Sequence, residues 1–402
     1  MNLSELKLEM QQELRAILDY WIQHTIDEQQ GGFYGRLDNG NTHYADAPKG
    51  CVLNARILWT FSAAASLTND WRYAKMANRA FAYIRDHFVD PEYGGVYWSV
   101  TGKGEMLDPK KQIYALAFVI YACSEYYMAM HSEPAKQLAI DLYHLIQEKS
   151  FDAVHGGYFE AYARNWQPID DLRLSDKDTN EKKTMNTHLH VLEAYTCLYR
   201  IWPNEQLKQH INLLLANFAV HIVDAHTGHL HLFFNEQWQV RSNTISYGHD
   251  IEASWLLLKA VEVIGDKELI EEMKTLAIAI ADAVIIGVDT DGGLWYEYEA
   301  AHNKLIKEKH WWPQAEALVG FYNAWQVSGR HEFLQLAINN WAFIKQYIRD
   351  NKNGEWFWGV QEDHTVMPGQ DKVGLWKCPY HNGRACMELV RRVGNSDVTA
   401  TL

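Results

Sequence analysis

Gly31-Gly32-Phe33-Tyr34-Gly35 is followed along the chain by Gly94-Gly95-Val96-Tyr97-Trp98, Gly156-Gly157-Tyr158-Phe159, Gly228-His229-Leu230-His231-Leu232-Phe233-Phe234, Gly292-Gly293-Leu294-Trp295-Tyr296 and Gly354-Glu355-Trp356-Phe357-Trp358. Counted from the last glycine of each opening pair, successive motifs lie 63, 62, 71, 65 and 61 residues apart. Six copies at so even a period mean six copies of one supersecondary unit. Before each turn an acidic or amide residue closes a helical stretch, namely Asp27, Asp90, Asp152, Asp224, Asp289 and Asn351. The glycines provide the positive φ that the turn requires. The aromatic alternation that follows predicts a small hairpin, after which a second helix begins.

The helical patterns pair as 4–27 with 50–67, 72–88 with 110–130, 134–149 with 183–201, 205–222 with 245–264, 267–286 with 310–328, and 331–350 with 380–393. An open solenoid of this size needs polar caps at both ends, and neither terminus resembles one, so the pairs are expected to close into a ring. The expected fold is all-α: a single (α/α)6 barrel spanning residues 1–402, with six inner and six outer helices and hairpins at one rim. A length of 402 residues alone suggests two or three domains, and the repeats overrule that count. The longest non-helical insertion runs from about Glu160 to Lys182, long enough to expect a functional role.

The formal net charge of -14, without runs of Lys or Arg, argues against nucleic acid, anionic lipid or polyphosphate partners and toward a neutral ligand. Five cysteines form no CxxC pair and read as reduced core residues of a cytoplasmic protein. The start of the chain lacks the pattern of a signal peptide, and no long uncharged apolar run is evident, so no membrane span is expected. Aromatic residues make up 13% of the chain. Most belong in the core, but an excess suits a sugar pocket, where pyranose C–H faces lie on aromatic rings and hydroxyls take polar groups.

Chemistry concentrates in Ser246-Tyr247-Gly248-His249-Asp250-Ile251-Glu252-Ala253-Ser254-Trp255. Helical spacing puts His249 and Glu252 on one face, an imidazole beside a carboxylate, which suits a group that takes and returns a proton. His190-Val191-Leu192-Glu193-Ala194-Tyr195 repeats the spacing. Arg56, Tyr114, Asn186, His188, His190, Trp312, Glu316 and His381 also fall near the starts of second helices, so barrel closure brings them to one rim. Each alone is explained by a core aromatic, a helix cap or a surface ion pair; their shared end is not.

The chain has no phosphate-binding glycine loop, HExxH or GxSxG. His188-x-His190 is half a metal site at most. A two-carboxylate glycosidase is possible on such barrels, but imidazoles occupy the rim where its carboxylates belong. Three imidazoles on three helices favour moving a proton on a carbon beside a carbonyl.

Asn186-Thr187-His188-Leu189-His190-Val191-Leu192-Glu193-Ala194-Tyr195, Tyr247 to Trp255, Trp311-Trp312-Pro313-Gln314-Ala315-Glu316 and Trp376-Lys377-Cys378-Pro379-Tyr380-His381-Asn382-Gly383-Arg384 resemble the N-acylglucosamine 2-epimerase superfamily, in particular its branch acting on β-1,4-linked disaccharides. The likeness covers nearly the whole chain. It implies an (α/α)6 barrel that interconverts glucose and mannose configuration at the reducing end, without metal, nucleotide or other cofactor. It implies His249 and His381 as the acid/base pair at C2, and His190 as the group that opens the ring or holds sugar oxygens. Arg56 would face the enediolate oxygen, while Asn186 and Tyr114 would hydrogen-bond the reacting sugar. Glu252 and Glu316 would orient imidazoles or hydroxyls, Trp312 and Trp376 would stack on sugar rings, Trp255 would support the His249 helix, and Asp178 would reach the non-reducing sugar. The expected partner is a small disaccharide, and a monomer is expected. An aldose-ketose isomerase and a non-catalytic sugar-binding protein are the competing readings.

Overall fold

The structure, a computed structural model, describes residues 2–395. Twelve long helices alternate in character: α1 (Leu3–His24), α3 (Trp71–Tyr83), α5 (Glu133–Lys149), α7 (Glu205–Asn217), α9 (Lys267–Val284) and α11 (His331–Phe343) are amphipathic, each burying one stripe. By contrast α2 (Cys51–Thr68), α4 (Ile113–Met130), α6 (Met185–Ile201), α8 (Tyr247–Ile264) and α10 (Trp311–Ser328) are buried nearly all round; α12 (Tyr380–Asn395) is the sixth of this set. Sequence dictates the split, because a helix apolar on every side is stable only with neighbours on every side. The inner helices touch in sequence around a ring that α12 closes onto α2. The architecture is an (α/α)6 barrel.

Helix ends follow the capping rules. Asn2 and Glu5 form a capping box on α1, and Asp70, Asn204 and Asp266 accept first-turn N–H groups of α3, α7 and α9. Asn69, His131, Gly265 and Gly329, all left-handed, end α2, α4, α8 and α10.

The rim carries the expected hairpin in two units, where Ser99–Val100 pairs with Met106–Asp108 and Glu297–Glu299 with Lys304–Ile306. Each glycine turn closes with a single bridge, such as Val89 with Val96 or Val288 with Leu294. Short strands also pair between neighbouring units: Lys49 with Val100, Lys111 with Tyr162, Lys183 with Phe234, Ile245 with Tyr298 and Lys309 with Val360. A bridge from Leu37 to Val373 joins the last unit to the first. A strand this short has too few hydrogen bonds to fold on its own, so these pairings lock adjacent units together.

Under five of the six turns lies a buried ion pair that the sequence reading missed. Lys49, Lys111, Lys183, Lys309 and Lys372 donate to Asp27, Asp90, Asp152, Asp289 and Asp350 at 2.6 to 2.7 Å. Asp350, not Asn351, is therefore the sixth turn-closing residue. Asp350 also accepts the N–H groups of Lys352 and Asn353, as Asp27 does for Gln29 and Gln30. The fourth unit departs from the pattern: Ile245 stands two residues before α8, where the other units carry Lys before α2, α4, α6 and α10.

Two further expectations need correction or comment. α4 is long and apolar enough to cross a membrane by length and composition, although Glu125 within it means that it is not an uncharged run. It is an inner barrel helix between α2 and α6. All five cysteines are buried and free.

Candidate active site

The starts of the inner helices enclose a cavity of about 1070 Å3. Its floor and walls include ten of the thirteen residues singled out from sequence: Arg56, Tyr114, Asn186, His190, His249, Glu252, Trp312, Trp376 and His381 from the barrel, and Asp178 from the long loop. Trp255 and Glu316 are buried behind it, at 0% and 1% exposure. The Trp255 indole N–H donates to Glu316 Oε2 at 3.1 Å, and Glu316 Oε1 accepts the Nδ1–H of His381 at 2.7 Å. Trp255 and Glu316 thus form a relay that fixes the His381 ring.

The three cavity imidazoles carried by α6, α8 and α12 have different partners. His190 donates Nδ1–H to Glu193 at 3.0 Å, leaving Nε2 as its free ring nitrogen. His249 does not meet Glu252, against the expectation from their spacing. Its Nδ1 lies 2.8 Å from the Ser246 hydroxyl, and its ring packs on Trp312 at 4.6 Å between centroids. Burial together with nearby His190 lowers the His249 pKa to about 3. Burial and the adjacent Arg56 and Arg384 hold His381 well below the usual histidine range. Both imidazoles are therefore neutral at physiological pH, with a ring nitrogen able to accept a proton.

Beneath them sits Arg384, fully buried, which the sequence reading quoted but gave no role. Its guanidinium donates to Glu252 at 2.5 Å and to Glu316 at 2.6 Å, and it also bonds Glu193 and the Tyr380 hydroxyl. Three carboxylates share one cation, so they cannot all ionise at the same cost. Burial opposes ionisation of Glu193, but Arg384 and His190 outweigh it and bring its pKa down to about 2. Burial and the neighbouring Glu316 raise Glu252 to about 7. The signal for Arg384 was present in its spacing, three residues after His381 on one helix face.

Arg56 is the opposite case. It is 3% exposed, and among the described residues no carboxylate lies within 4.0 Å of it. One amine donates to the Tyr114 hydroxyl at 2.8 Å and another reaches the Trp376 carbonyl at 3.4 Å, while Nε has no partner. The Phe118 ring lies 4.3 Å beneath it. A buried cation without an anion is costly, so a negative oxygen placed in this corner would be stabilised. The Asn186 side-chain oxygen is also buried and unpartnered.

His188 does not join the pocket. It accepts the Tyr158 N–H at Nε2 and donates from Nδ1 to the Thr184 carbonyl, at 2.9 and 2.6 Å. Two residues apart on a helix, the imidazoles of His188 and His190 face different sides, so they form no metal pair. Asp250 and Gln314 accept the corresponding N–H groups of Leu230 and Leu294 in the next two units, so His188 is a rim fastener. Glu252, Glu316 and His381 bring ligand atoms within 4.8 Å of one another. Their oxygens, however, face the Arg384 guanidinium, a poor setting for a cation.

The outer cavity contains residues the sequence reading passed over: Tyr296 stacked on His310 at 3.9 Å, Trp358, and Glu297, which burial raises to about 7. The loop from 160 to 182 roofs this part. Gln112 and Lys110 donate to its Leu172 and Arg173 carbonyls.

Comparison with known proteins decides what kind of enzyme this is. The sequence pattern of the N-acylglucosamine 2-epimerase (GlcNAc 2-epimerase) family matches residues 31–382. The chain belongs to this family. Within the family it is 48% identical over 386 residues to a cellobiose 2-epimerase of Bacteroides fragilis, covering 96% of this chain and 98% of that one. The solved cellobiose 2-epimerase of Bacillus thermoamylovorans B4167 superposes with a TM-score of 0.92 at 38% identity, covering 97% of this chain and all of the other. A solved D-mannose isomerase shares the fold at a TM-score of 0.83 and 21% identity over 96% of this chain and 98% of that one. Like its relatives in this epimerase family, the chain is an isomerase-class carbohydrate enzyme.

Proposed function

We propose that the protein is a cellobiose 2-epimerase, inverting C2 of the reducing-end glucose of β-1,4-linked disaccharides such as cellobiose and lactose. The observation that carries this reading is a single cavity that imidazoles from α6, α8 and α12 line together with a buried arginine that has no carboxylate partner.

The cavity suits two sugar rings, since ligand pockets commonly measure roughly 300–1,000 Å3. His190 helps open the pyranose by proton exchange at the ring and anomeric oxygens, exposing the C1 aldehyde. A neutral imidazole, His249 or His381, removes the C2 hydrogen as a proton, and the other delivers a proton to the opposite face of the planar enediolate. Arg56 and the Tyr114 hydroxyl face the oxygen where charge develops, and a preorganised donor in a dry pocket stabilises that charge most. Asn186 fills its unpartnered acceptor with a sugar hydroxyl. Trp312 and Trp376 hold pyranose faces, and Asp178 reaches the non-reducing ring. Glu252 bonds Arg384 at the cavity wall, and Glu316 holds His381 from behind. The reaction is redox-neutral, so these residues suffice for it.

The test is proton NMR of cellobiose in D2O with chelator-treated enzyme. Growing glucosyl-mannose signals with deuterium at C2 support the reading. A ketose as major product favours the isomerase alternative, and binding without exchange refutes catalysis on this substrate. His249→Ala and His381→Ala should each lower kcat by about 10²-fold or more, the range of acid/base assistance.

A further inference from the structure

At the end of the barrel away from the sugar cavity lies a second, narrow cavity of about 40 Å3, lined by Trp59 of α2, Tyr121 and Glu125 of α4, and Glu193, Cys197 and Arg200 of α6. The α6 residues recur at spacings of three and four, one face of the helix. Glu193 stands between the two cavities. It borders the narrow one, while its Oε2 accepts the Nδ1–H of His190, which lines the sugar pocket.

Two observations indicate that water occupies this space. The Trp59 indole N–H is buried in a residue 2% exposed, and it has no acceptor in the protein. Buried donors in native proteins almost always have a partner, and one water needs roughly 10–15 Å3. The outer end also reaches solvent through polar groups. Glu125 Oε2 lies 3.8 Å from Cys197 Sγ and 3.9 Å from Arg200, whose side chain is 47% exposed.

We propose that this cavity holds a short file of water that carries protons between bulk solvent and Glu193, so that His190 exchanges protons with solvent while a disaccharide fills the other end of the barrel. The role of His190 rests on the function proposed above; the water file does not. When His190 Nε2 takes a proton from a sugar hydroxyl, the imidazolium passes its Nδ1 proton to the Glu193 carboxylate, which Arg384 favours in its ionised form and which therefore holds the proton only transiently. The resulting carboxyl releases a proton to the water file, and His190 is left neutral with hydrogen on Nε2. One proton enters and one leaves; the reverse sequence restores the starting state.

The test follows hydrogen exchange of the Trp59 indole N–H by NMR in D2O, with the signal assigned through Trp59→Phe. Trp255 is the reference, equally buried but bonded to Glu316. The Trp59 N–H should exchange at least about tenfold faster than that of Trp255, because no protein acceptor protects it and water is at hand. Cys197→Leu, or the unbranched plug Cys197→Met, should slow that exchange about tenfold and lower kcat several-fold at constant KM. Cys197→Ser, of wild-type size, should leave both near wild type. A Trp59 N–H as protected as that of Trp255 overturns the water file, and slowed exchange with unchanged kcat overturns the proton supply. Exchange is read without substrate, so it stands apart from any failure of the sugar to react.

Discussion

The segments His190 to Glu193 and His249 to Glu252 have the same spacing but opposite wiring. In α6 the imidazole and carboxylate bond each other; in α8 they do not. The difference begins one turn earlier. Thr187 gives its hydroxyl to Glu160 at 2.6 Å, so His190 turns to Glu193. Ser246, at the same offset before His249, keeps its hydroxyl for the imidazole. Register matters as well: His249 is the third residue of α8, but His190 is the sixth of α6. His249 therefore sits at the mouth against Trp312, and His190 lies deeper, against Tyr114 and Phe118. Identical local spacing thus yields a neutral base at the rim and a carboxylate-backed imidazole at the floor.

Removing what the two segments share should have the largest effect. Both glutamates end on Arg384, and Arg384→Met leaves buried carboxylates without their cation. Breaking a buried pair in this way typically costs about 3–5 kcal/mol, to be read by urea denaturation, with loss of activity. Arg384→Lys keeps the charge but cannot hold three acceptors in a fixed fork, so it should fold better than Arg384→Met and still turn over slowly.

Next come the two glutamates separately. Glu193→Gln should lower kcat about 10- to 100-fold, since it removes the charged acceptor of His190. Glu252→Gln should cost less at pH 6, where the raised Glu252 already holds a proton, and its effect on kcat should grow by pH 8. Stability provides a second readout. A carboxyl with a folded pKa of about 7 favours the protonated native state, so its contribution fades as pH rises from the unfolded value of 4.5 through 7. That contribution is on the order of 3 kcal/mol, and Glu252→Gln should flatten this part of the stability profile.

A smaller effect concerns pH alone. Because burial lowers the His249 pKa to about 3 and pushes His381 in the same direction, neither base is lost at pH 5. The acid limb of kcat/KM attributable to these bases should fall well below pH 6.5. Smallest of all, Ser246→Ala should reduce kcat only a few-fold, because it frees the His249 ring without removing a charge.

Much of the site was legible in the chain. Glycine turns recur because the backbone there needs positive φ, and that period alone gave six helix pairs and placed Arg56, Tyr114, Asn186, His190, His249, Trp312 and His381 at one end. Arg384 and Glu193 were visible but carried no role, since a helical spacing states which face a residue shares and not what waits across the barrel. The buried lysines were missed for a related reason. A lysine in sequence reads as surface, and only the facing Asp of its own glycine turn makes burial affordable.

The sequence by itself determined the number of units, the inner and outer helices, and which residues collect at the rim, because periodicity and turn chemistry are local properties. Only the tertiary structure decided the partners: that the strands join neighbouring units, that His188 fastens the rim, that Glu252 and Glu316 turn to Arg384, and that Arg56 is left without an anion. Those outcomes depend on which side chains from distant segments compete for the same donor or charge, and that competition exists only once the ring has closed.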